Sequence, residues 1–461
     1  MRLNFDILAA VLPWIKTRRD VLSFISTCSD LYNTGVRCLL KFPCNVTSER
    51  LPQFYRLLQA KSGFLALRDL CVSSDDLLGS DAVDQLKDIL NRAKNLHRIQ
   101  IIDEVMLSSL VLYDALASLP SLRYLDLQLA RSDQLAELMM LEQLQSPLAT
   151  LKLGEMAIPL DLVATLANFQ RTLEELHLEE ATIFYNSTTL CCANLTSLHL
   201  TCVANFRLSV FIPAFPNLRT LSYEFSGSER GDGTEELRDN NIQFQTAHPT
   251  QCWHLMSLSG DIGSLYTLGL QSKVPHVSIT SPRLRSDPAG PCLSPLRPLQ
   301  LSVVNNMNRV VGDWLFDTVP EDWNELVRLD LSFQFFADDT SFVDHEACLD
   351  ELLEELGLLV SESEFRLFFL VLEMRGERGV DLPNSAYTFL DTIKMETLAT
   401  RVLQTVPTLK TVRFVVDSAE KRVSNWAYSE DGKCTSILSE NEAKCIVDRV
   451  MSPLLQAYHD S

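Results

Sequence analysis

A six-residue phrase, apolar-x-x-apolar-x-apolar, recurs along most of this chain and constrains its fold more than any other feature. Five clear copies begin at Leu122, Leu148, Leu173, Leu195 and Leu218, separated by steps of 26, 25, 22 and 23 residues. A fixed period of this length is typical of chains built from stacked structural repeats. The spacing therefore predicts a solenoid, in which each repeat buries its apolar residues against its neighbours.

Looser copies extend the series in both directions. They begin at Leu67, Leu96, Leu265, Leu296, Leu326, Leu367 and Leu409. Apolar and polar positions alternate within each phrase, as in a short strand with one buried face. Helical patterns, such as those of 110–117 and 161–169, separate the strands. We therefore expect an α/β fold, an irregular leucine-rich-repeat solenoid with parallel strands on its concave face.

The charge and the cysteines exclude several classes of partner and compartment. With 60 acidic and 40 basic residues, the formal charge is -20, which repels a phosphate backbone, so we expect no nucleic-acid partner. No apolar run approaches the roughly 18 residues that span a bilayer, so we expect no membrane partner. The 12 cysteines include no C-x-x-C pair. Scattered, reduced cysteines favour a cytoplasmic or nuclear protein.

Sequence motifs of catalysis are missing. The chain has no G-x-S-x-G, no H-E-x-x-H, no P-loop and no dinucleotide-binding fingerprint. We therefore predict no catalytic residues, no cofactor and no enzymatic activity. A solenoid supplies surface, so the expected role is protein binding.

The chain divides into three predicted regions. Residues 1–45 form a block of three helices, residues 46–420 form the solenoid, and residues 421–461 form a hairpin and a helix that cap its end. Within the solenoid, clusters of glycine, proline and charge predict loops near 226–250 and 282–298. A strongly acidic insert with one helix is expected near 338–364.

Polar side chains between the repeat leucines form one candidate binding site. Because adjacent parallel strands lie about 4.8 Å apart, we expect His177 and His199 to be neighbours, with Glu175 and Glu179 beside them. Such a cluster can bind a metal ion or respond to pH. A solvated surface is the interpretation we favour, and no metal site is predicted. The candidates for contact with a target protein are Tyr124, Asp126, Lys152, Glu175, His177, Glu179 and His199.

The N-terminal block does not follow the repeat phrase. Its first helical pattern carries an apolar stripe formed by Ile7, Leu8, Val11, Leu12 and Ile15. Asp20 is a suitable N-cap for the second helix, and the third runs from about 29 to 40. A block of this size that is apolar on more than one side must bury part of itself elsewhere. Its partner is either the first repeats or another protein.

This block resembles an F-box. The runs Leu3–Ile15 and Asp20–Tyr32 are similar to the pattern Leu-Pro-x-Glu-Ile-Leu, an apolar pair, a short loop, Asp-Leu, and Val-Cys before an aromatic residue. Asn4, Asp6 and Thr27 stand where that pattern has proline, glutamate and valine. With leucine-rich repeats behind it, the chain looks most like the fungal F-box proteins.

The resemblance implies a role in protein degradation. F-box proteins are substrate-recognition subunits of Skp-cullin-F-box ubiquitin ligases: the helices bind a Skp-type adaptor and through it a cullin, while the second domain holds a target protein. It implies adaptor contacts at Leu3, Ile7, Leu8, Val11, Leu12, Ile15 and Val21. The alternative is a non-catalytic leucine-rich-repeat scaffold or inhibitor protein unrelated to ubiquitination, whose N-terminal helices cap the solenoid.

Overall fold

The structure is a computed structural model of the 461-residue chain. It describes residues 5–73, 80–102, 110–128, 134–154, 160–184, 190–203, 206–225, 233–280, 293–306, 323–335, 345–362, 367–376, 395–417, 422–429 and 434–460. Parallel strands alternate with helices, so the predicted α/β class is confirmed. The chain folds as two compact units, one of Met1–Phe206 with Val210–Leu218 and the other of Arg207–Ser209 with Arg219–Ser461.

The first unit opens with three helices, which we call the helix trio. They are α1 (Phe5–Val11), extended by a 3-10 turn over Leu12–Trp14, α2 (Arg18–Ile25) and α3 (Ser29–Leu39). Thr17 is the N-cap of α2, because its hydroxyl oxygen accepts a hydrogen bond from the backbone N–H of Asp20. The predicted N-cap, Asp20, instead lies in the first turn, where its negative charge suits the positive end of the helix dipole.

The strands of the first unit follow the trio and are β1 (Cys44–Thr47), β2 (Asp69–Ser73), β3 (Arg98–Ile102), β4 (Tyr124–Gln128), β5 (Thr150–Gly154), β6 (Leu160–Asp161), β7 (Glu175–Glu179), β8 (Ile183–Phe184) and β9 (Ser197–Thr201). Seven of them are parallel and pair in the order β1-β2-β3-β4-β5-β7-β9. The short strands β6 and β8 pair with each other. Strand β1 precedes the first repeat phrase, so the predicted boundary at residue 45 falls inside a strand of the sheet.

Helices connect these strands and bury their apolar sides against the sheet. They are α4 (Leu51–Ala60), α5 (Ser80–Arg92), α6 (Leu110–Ala117), α7 (Gln134–Gln143), α8 (Leu162–Leu166) and α9 (Leu208–Ala214), the last of which contains the boundary between the two units. The repeat leucines align in register across the sheet, as in Leu125, Leu151 and Leu176, and all three are fully buried. One continuous apolar layer therefore joins the repeats of this unit, which is compatible with a solenoid.

Asparagine side chains tie successive repeats together. Asn95, Asn168, Asn194 and Asn217 each donate a hydrogen bond from Nδ2 to a backbone carbonyl one repeat earlier, at Leu65, Glu142, Arg171 and Ala193 respectively. Three of the four stand directly before the first leucine of a repeat phrase. These bonds satisfy backbone carbonyls of the connecting turns.

The second unit also alternates strands and helices. Its elements are β10 (Thr220–Glu224), α10 (Gly233–Ala247), β11 (Ser257–Gly260), α11 (Ile262–Leu268), β12 (His276–Ile279), β13 (Gln300–Asn306), β14 (Arg328–Phe335), α12 (His345–Glu362), β15 (Phe369–Gly376), α13 (Met395–Thr405), β16 (Thr411–Asp417), β17 (Arg422–Ser429), β18 (Cys434–Leu438) and α14 (Glu440–Asp460). Its strands β13 to β17 have 7 or 8 residues each. Strands β10 to β16 are parallel, whereas β16, β17 and β18 pair antiparallel.

The phrase that begins at Leu265 is a helix rather than the predicted strand. Asp261 caps α11 by accepting a hydrogen bond from Ser264 N–H, and Gly269 ends the helix with φ of 55°. The strand of this repeat is β11, which lies immediately before α11 and has only one leucine, Leu258. Helical and strand spacings coincide over so few apolar residues, so capping residues decide between them.

Most of the loop predicted near 226–250 is also helical. Two polar residues on α10 are buried and bound to backbone: Asn241 accepts from Leu208 N–H and donates to the carbonyl of Thr267. Gln245 donates to the carbonyl of Gly269. The loop was predicted from the glycines and charges of this segment, whereas in the structure Asn241 and Gln245 satisfy the backbone of neighbouring segments. Residues 226–232 lie outside the described residues.

Two other predicted irregular segments are partly described. For the loop expected near 282–298, residues 281–292 lie outside the described residues, and Leu293 and Leu296 beyond them are buried. For the acidic insert expected near 338–364, the described part is α12, which buries Leu352 and Leu356 and exposes Asp350 and Glu354. This described part is therefore an amphipathic helix with acidic residues on its outer face.

The chain ends in α14. Its first turn has a capping box, in which Ser439 N–H donates to the Glu442 carboxylate and Glu442 N–H donates to the Ser439 hydroxyl. Val447, Met451 and Tyr458 on this helix pack in one cluster with Leu299, Val327 and Phe369, which lie at or just before β13, β14 and β15. The helix thus covers apolar residues of three repeats. The tip of the predicted hairpin, 430–433, lies outside the described residues.

Candidate protein-interaction surfaces

The helix trio carries an exposed apolar surface. Ile7, Val11 and Trp14 are 56%, 44% and 83% exposed, and they follow one another at the i, i+4, i+7 spacing that places side chains on one side of a helix. Leu22 on α2 and Tyr32 on α3 are also exposed. Of the 8 large hydrophobic residues that are exposed in the described part of the chain, 5 therefore lie on the trio. Such a concentration is typical of protein-interaction surfaces.

The predicted adaptor contacts separate into two groups. Ile7 and Val11 are exposed, and Leu8 and Ile15 are half-buried. Leu12 and Val21 are 1% and 0% exposed, because they pack with Ile25, Leu31 and Cys38 in the trio's own core. This burial does not fit direct contact with a partner, so the two residues are assigned to holding the helices together. Leu3 lies outside the described residues.

Three exposed residues of this surface were not among the predicted contacts: Trp14, Leu22 and Tyr32. Trp14 follows Pro13, a residue that often marks a helix end, but a 3-10 turn over Leu12–Trp14 continues the helix. Extending the apolar spacing of Ile7 and Val11 by one further step predicts Trp14 on the same face.

The second surface is the polar face of the first unit's sheet, where side chains form two rows across the strands. Register places Asp126, Lys152, His177 and His199 side by side on β4, β5, β7 and β9, which we call the histidine row. One step earlier on the same strands, Tyr124, Thr150, Glu175 and Ser197 form the glutamate row. Six of the seven predicted target contacts lie in these rows. The seventh, Glu179, is exposed and pairs in register with Thr201.

At one end of the rows, Tyr124 is held by charged neighbours. The Arg98 guanidinium stacks 3.8 Å from the centre of the Tyr124 ring, and the Tyr124 hydroxyl donates to Asp126 Oδ2 at 3.0 Å. The Lys152 ammonium lies 5.9 Å from the same ring centre. Burial, and then the charge of Asp126 and this hydrogen bond, raise the pKa of Tyr124 to about 12. The phenol is therefore a neutral, fixed group that offers a flat aromatic surface.

At the other end, the two histidines stack against each other. The rings of His177 and His199 are 4.0 Å apart between centroids and 7° from parallel. His177 Nε2 donates to Glu175 Oε1 at 2.5 Å, and His199 Nε2 is hydrogen-bonded to Ser197 Oγ at 2.9 Å. Thr150 donates to the other carboxylate oxygen of Glu175 at 3.2 Å. On β4, β7 and β9, the residue of the glutamate row is thus hydrogen-bonded to the residue of the histidine row on the same strand. On β5, Thr150 instead bonds across to Glu175 on the next strand.

The stacked pair disfavours positive charge. Burial lowers the pKa of His199 to about 4, with the charge of His177 acting in the same direction. Burial also lowers the pKa of His177 and outweighs the opposite effect of the hydrogen bond that His177 donates to Glu175. Burial raises the pKa of Glu175, but its hydrogen bond with His177 and nearby positive charge outweigh burial and leave that pKa lowered. At neutral pH the cluster is therefore an anionic carboxylate beside two neutral imidazoles.

In the described part of the chain, no helix is both long and apolar enough to cross a bilayer. Comparison of the sequence with models of known protein families and with curated proteins returns no match.

Proposed function

We propose that this chain is the substrate-recognition, or F-box, subunit of a Skp-cullin-F-box ubiquitin ligase. In this proposal the helix trio binds a Skp-type adaptor, and through it a cullin, while the polar face of the first unit's sheet contacts a target protein. The exposed stripe of Ile7, Val11 and Trp14 carries the proposal, because a helix that presents apolar residues at i, i+4 and i+7 is a standard anchor for a protein groove.

The size of this stripe supports binding of a partner. A tryptophan buries about 150–250 Å² when covered, so covering the exposed 83% of Trp14 would contribute about 3–5 kcal/mol at about 25 cal/mol per Å². Tryptophan is also among the residues that most often dominate the energy of protein interfaces. Ile7 and Val11 extend the same apolar strip along α1.

The trio's own core would prepare this surface for binding. Leu12 and Val21 are buried between the helices and fix the orientation of α1. A surface that is ordered before binding loses less conformational entropy when the partner docks. The buried and exposed residues of α1 thus have complementary roles in the proposal.

The receptor would perform no chemistry itself. Its contribution to ubiquitin transfer would be proximity, because it would hold a lysine of the target near a conjugating enzyme supplied by other subunits. The two rows of the sheet offer aromatic, cationic, anionic and imidazole groups in fixed positions for recognition of that target. The proposed place of action is the cytoplasm or the nucleus.

Adaptor binding by purified full-length chain tests the proposal directly. Ile7→Asp with Trp14→Asp places charge on the exposed stripe without entering the core, and we expect it to abolish capture of a Skp adaptor. Leu65→Asp is the matched control, because Leu65 is 61% exposed and lies outside the trio. Leu12→Asp is unsuitable, because a charge at this buried position would unfold the trio.

Three outcomes are distinguishable. Capture by the wild type and by Leu65→Asp, but not by the stripe variant, would support the proposal. Capture by all three chains would show that the adaptor does not use the stripe. No capture by the wild type would favour the alternative, a leucine-rich-repeat scaffold or inhibitor protein unrelated to ubiquitination.

A further inference from the structure

We propose that Glu175, His177 and His199 form a binding site for a divalent transition-metal ion, with Zn²⁺ as the preferred occupant. The three residues bring one potential ligand atom each to a place where all three atoms lie within 4.8 Å of one another. Two come from one strand and the third from the next, so an ion would bridge β7 and β9. The proposal concerns residues remote from the helix trio and does not depend on adaptor binding.

The ligand set selects the class of metal. Two imidazoles and one carboxylate suit Zn²⁺ and its neighbours in the first transition row, whereas Mg²⁺ and Ca²⁺ prefer oxygen ligands alone. Three protein ligands with a fourth position open are also the pattern of zinc sites that bind water or another molecule. Here the fourth ligand would be water or a side chain of a bound protein.

The geometry needs only side-chain adjustment. At metal–ligand distances of about 2.0–2.2 Å, tetrahedral ligands lie about 3.3–3.6 Å from each other. The backbone already holds His177 and His199 opposite each other in register, with rings 4.0 Å apart. Rotation of the imidazoles about their side-chain bonds closes the remaining distance, and the β-strands do not have to move.

The surroundings both support and oppose a cation. Each ligand is partly buried, which reduces competition from water. Thr150 donates a hydrogen bond to Glu175 and orients its carboxylate, as residues that surround the ligands of metal sites commonly do. Lys152, however, stands opposite His177 in the histidine row, and its charge repels an incoming ion. Removing the charge of Lys152 should therefore strengthen metal binding.

Metal titration of the full-length chain tests the site. Free cysteines can also bind Zn²⁺, so the first measurement is the absorption spectrum with Co²⁺, in which thiolate ligands give intense near-ultraviolet bands and nitrogen and oxygen ligands do not. We expect the wild type to show a visible Co²⁺ spectrum without a matching thiolate band, and added Zn²⁺ to displace it.

Variants identify the ligands. In competition with a chromophoric chelator, His177→Gln and His199→Gln should each weaken Zn²⁺ binding by roughly a hundredfold or more. Lys152→Gln should strengthen binding severalfold, and His248→Gln, at an exposed histidine of the other unit, should leave it unchanged. Circular dichroism of each metal-free variant checks that it is folded.

Two results would overturn the proposal. One is a wild type whose Co²⁺ spectrum contains only thiolate coordination, which needs no variant to interpret. The other is a spectrum and Zn²⁺ affinity that stay the same in folded His177→Gln and His199→Gln chains.

Discussion

Gly35 lies on α3 at a point where Ile25 of α2 occupies the space that a side chain would need. A Cβ placed on Gly35 would overlap Cγ2 of Ile25 and lie 3.0 Å from its Cβ. Ile25 is 4% exposed and packed in the trio's core, so it has little room to move. Overpacking of a core costs about 1–3 kcal/mol. Replacing glycine by alanine inside a helix gains about 1 kcal/mol. We therefore expect Gly35→Ala to destabilise the trio by up to about 2 kcal/mol.

A double-mutant cycle isolates the steric part of this effect. Ile25→Leu keeps the side-chain volume but removes the branch that carries Cγ2, and such swaps cost less than about 1.5 kcal/mol. With leucine at position 25, we expect Gly35→Ala to be neutral or to stabilise by up to about 1 kcal/mol. Hydrogen exchange of amides in α2 and α3, followed by mass spectrometry, measures the free energy of local opening. Equal effects of Gly35→Ala in both backgrounds would refute the reasoning.

Three further predictions concern the repeats and the cysteines. Leu151→Ala, at a fully buried position in register with the repeat leucines on either side, should lower the free energy of local opening of β5 by about 3–5 kcal/mol in hydrogen exchange. Gly260→Ala should lower the apparent melting temperature, because a Cβ there would overlap the Tyr223 carbonyl oxygen, a backbone atom that no change of rotamer can move; an unchanged melting curve would contradict this. Iodoacetamide at pH 8 to 9 should modify the exposed Cys191 but not Cys192, because burial raises the pKa of Cys192 to about 12 and keeps it protonated throughout this range. Peptide mapping by mass spectrometry distinguishes the two adjacent sites, and equal labelling of the folded chain would contradict the assignment.

The sequence pattern was sufficient to predict a strand where the regularly spaced apolar residues are also the residues that the fold buries. The regular phrases from Leu122 to Leu195 each coincide with a strand, because alternation of buried and exposed positions is a property of the strand itself. Helix α6 also coincides with its predicted range, 110–117. Local pattern was insufficient at Leu265, where the same apolar spacing belongs to a helix. There, the capping residues Asp261 and Gly269 carry the decisive information.

The sequence did not predict the buried polar residues of α10, because their hydrogen-bond partners are distant backbone groups. Asn241 and Gln245 are buried on α10 and form hydrogen bonds with segments about 24 to 33 residues away. A single sequence does not indicate which backbone groups will need partners. The same reason applies to the asparagines between repeats, whose bonds span the length of one repeat.

The sequence by itself determined the α/β class, the repeat spacing and the presence of helices at the N-terminus, because these depend on the order of apolar and polar residues along one segment. It also predicted that His177 and His199 would be neighbours, since strand spacing and repeat length are sufficient for that. Only the tertiary structure decided that Leu12 is buried while Trp14 is exposed, and that Glu175 joins the histidines while Glu179 remains exposed to solvent. These distinctions depend on how segments pack against each other, and packing is set by contacts between residues that are far apart in the chain.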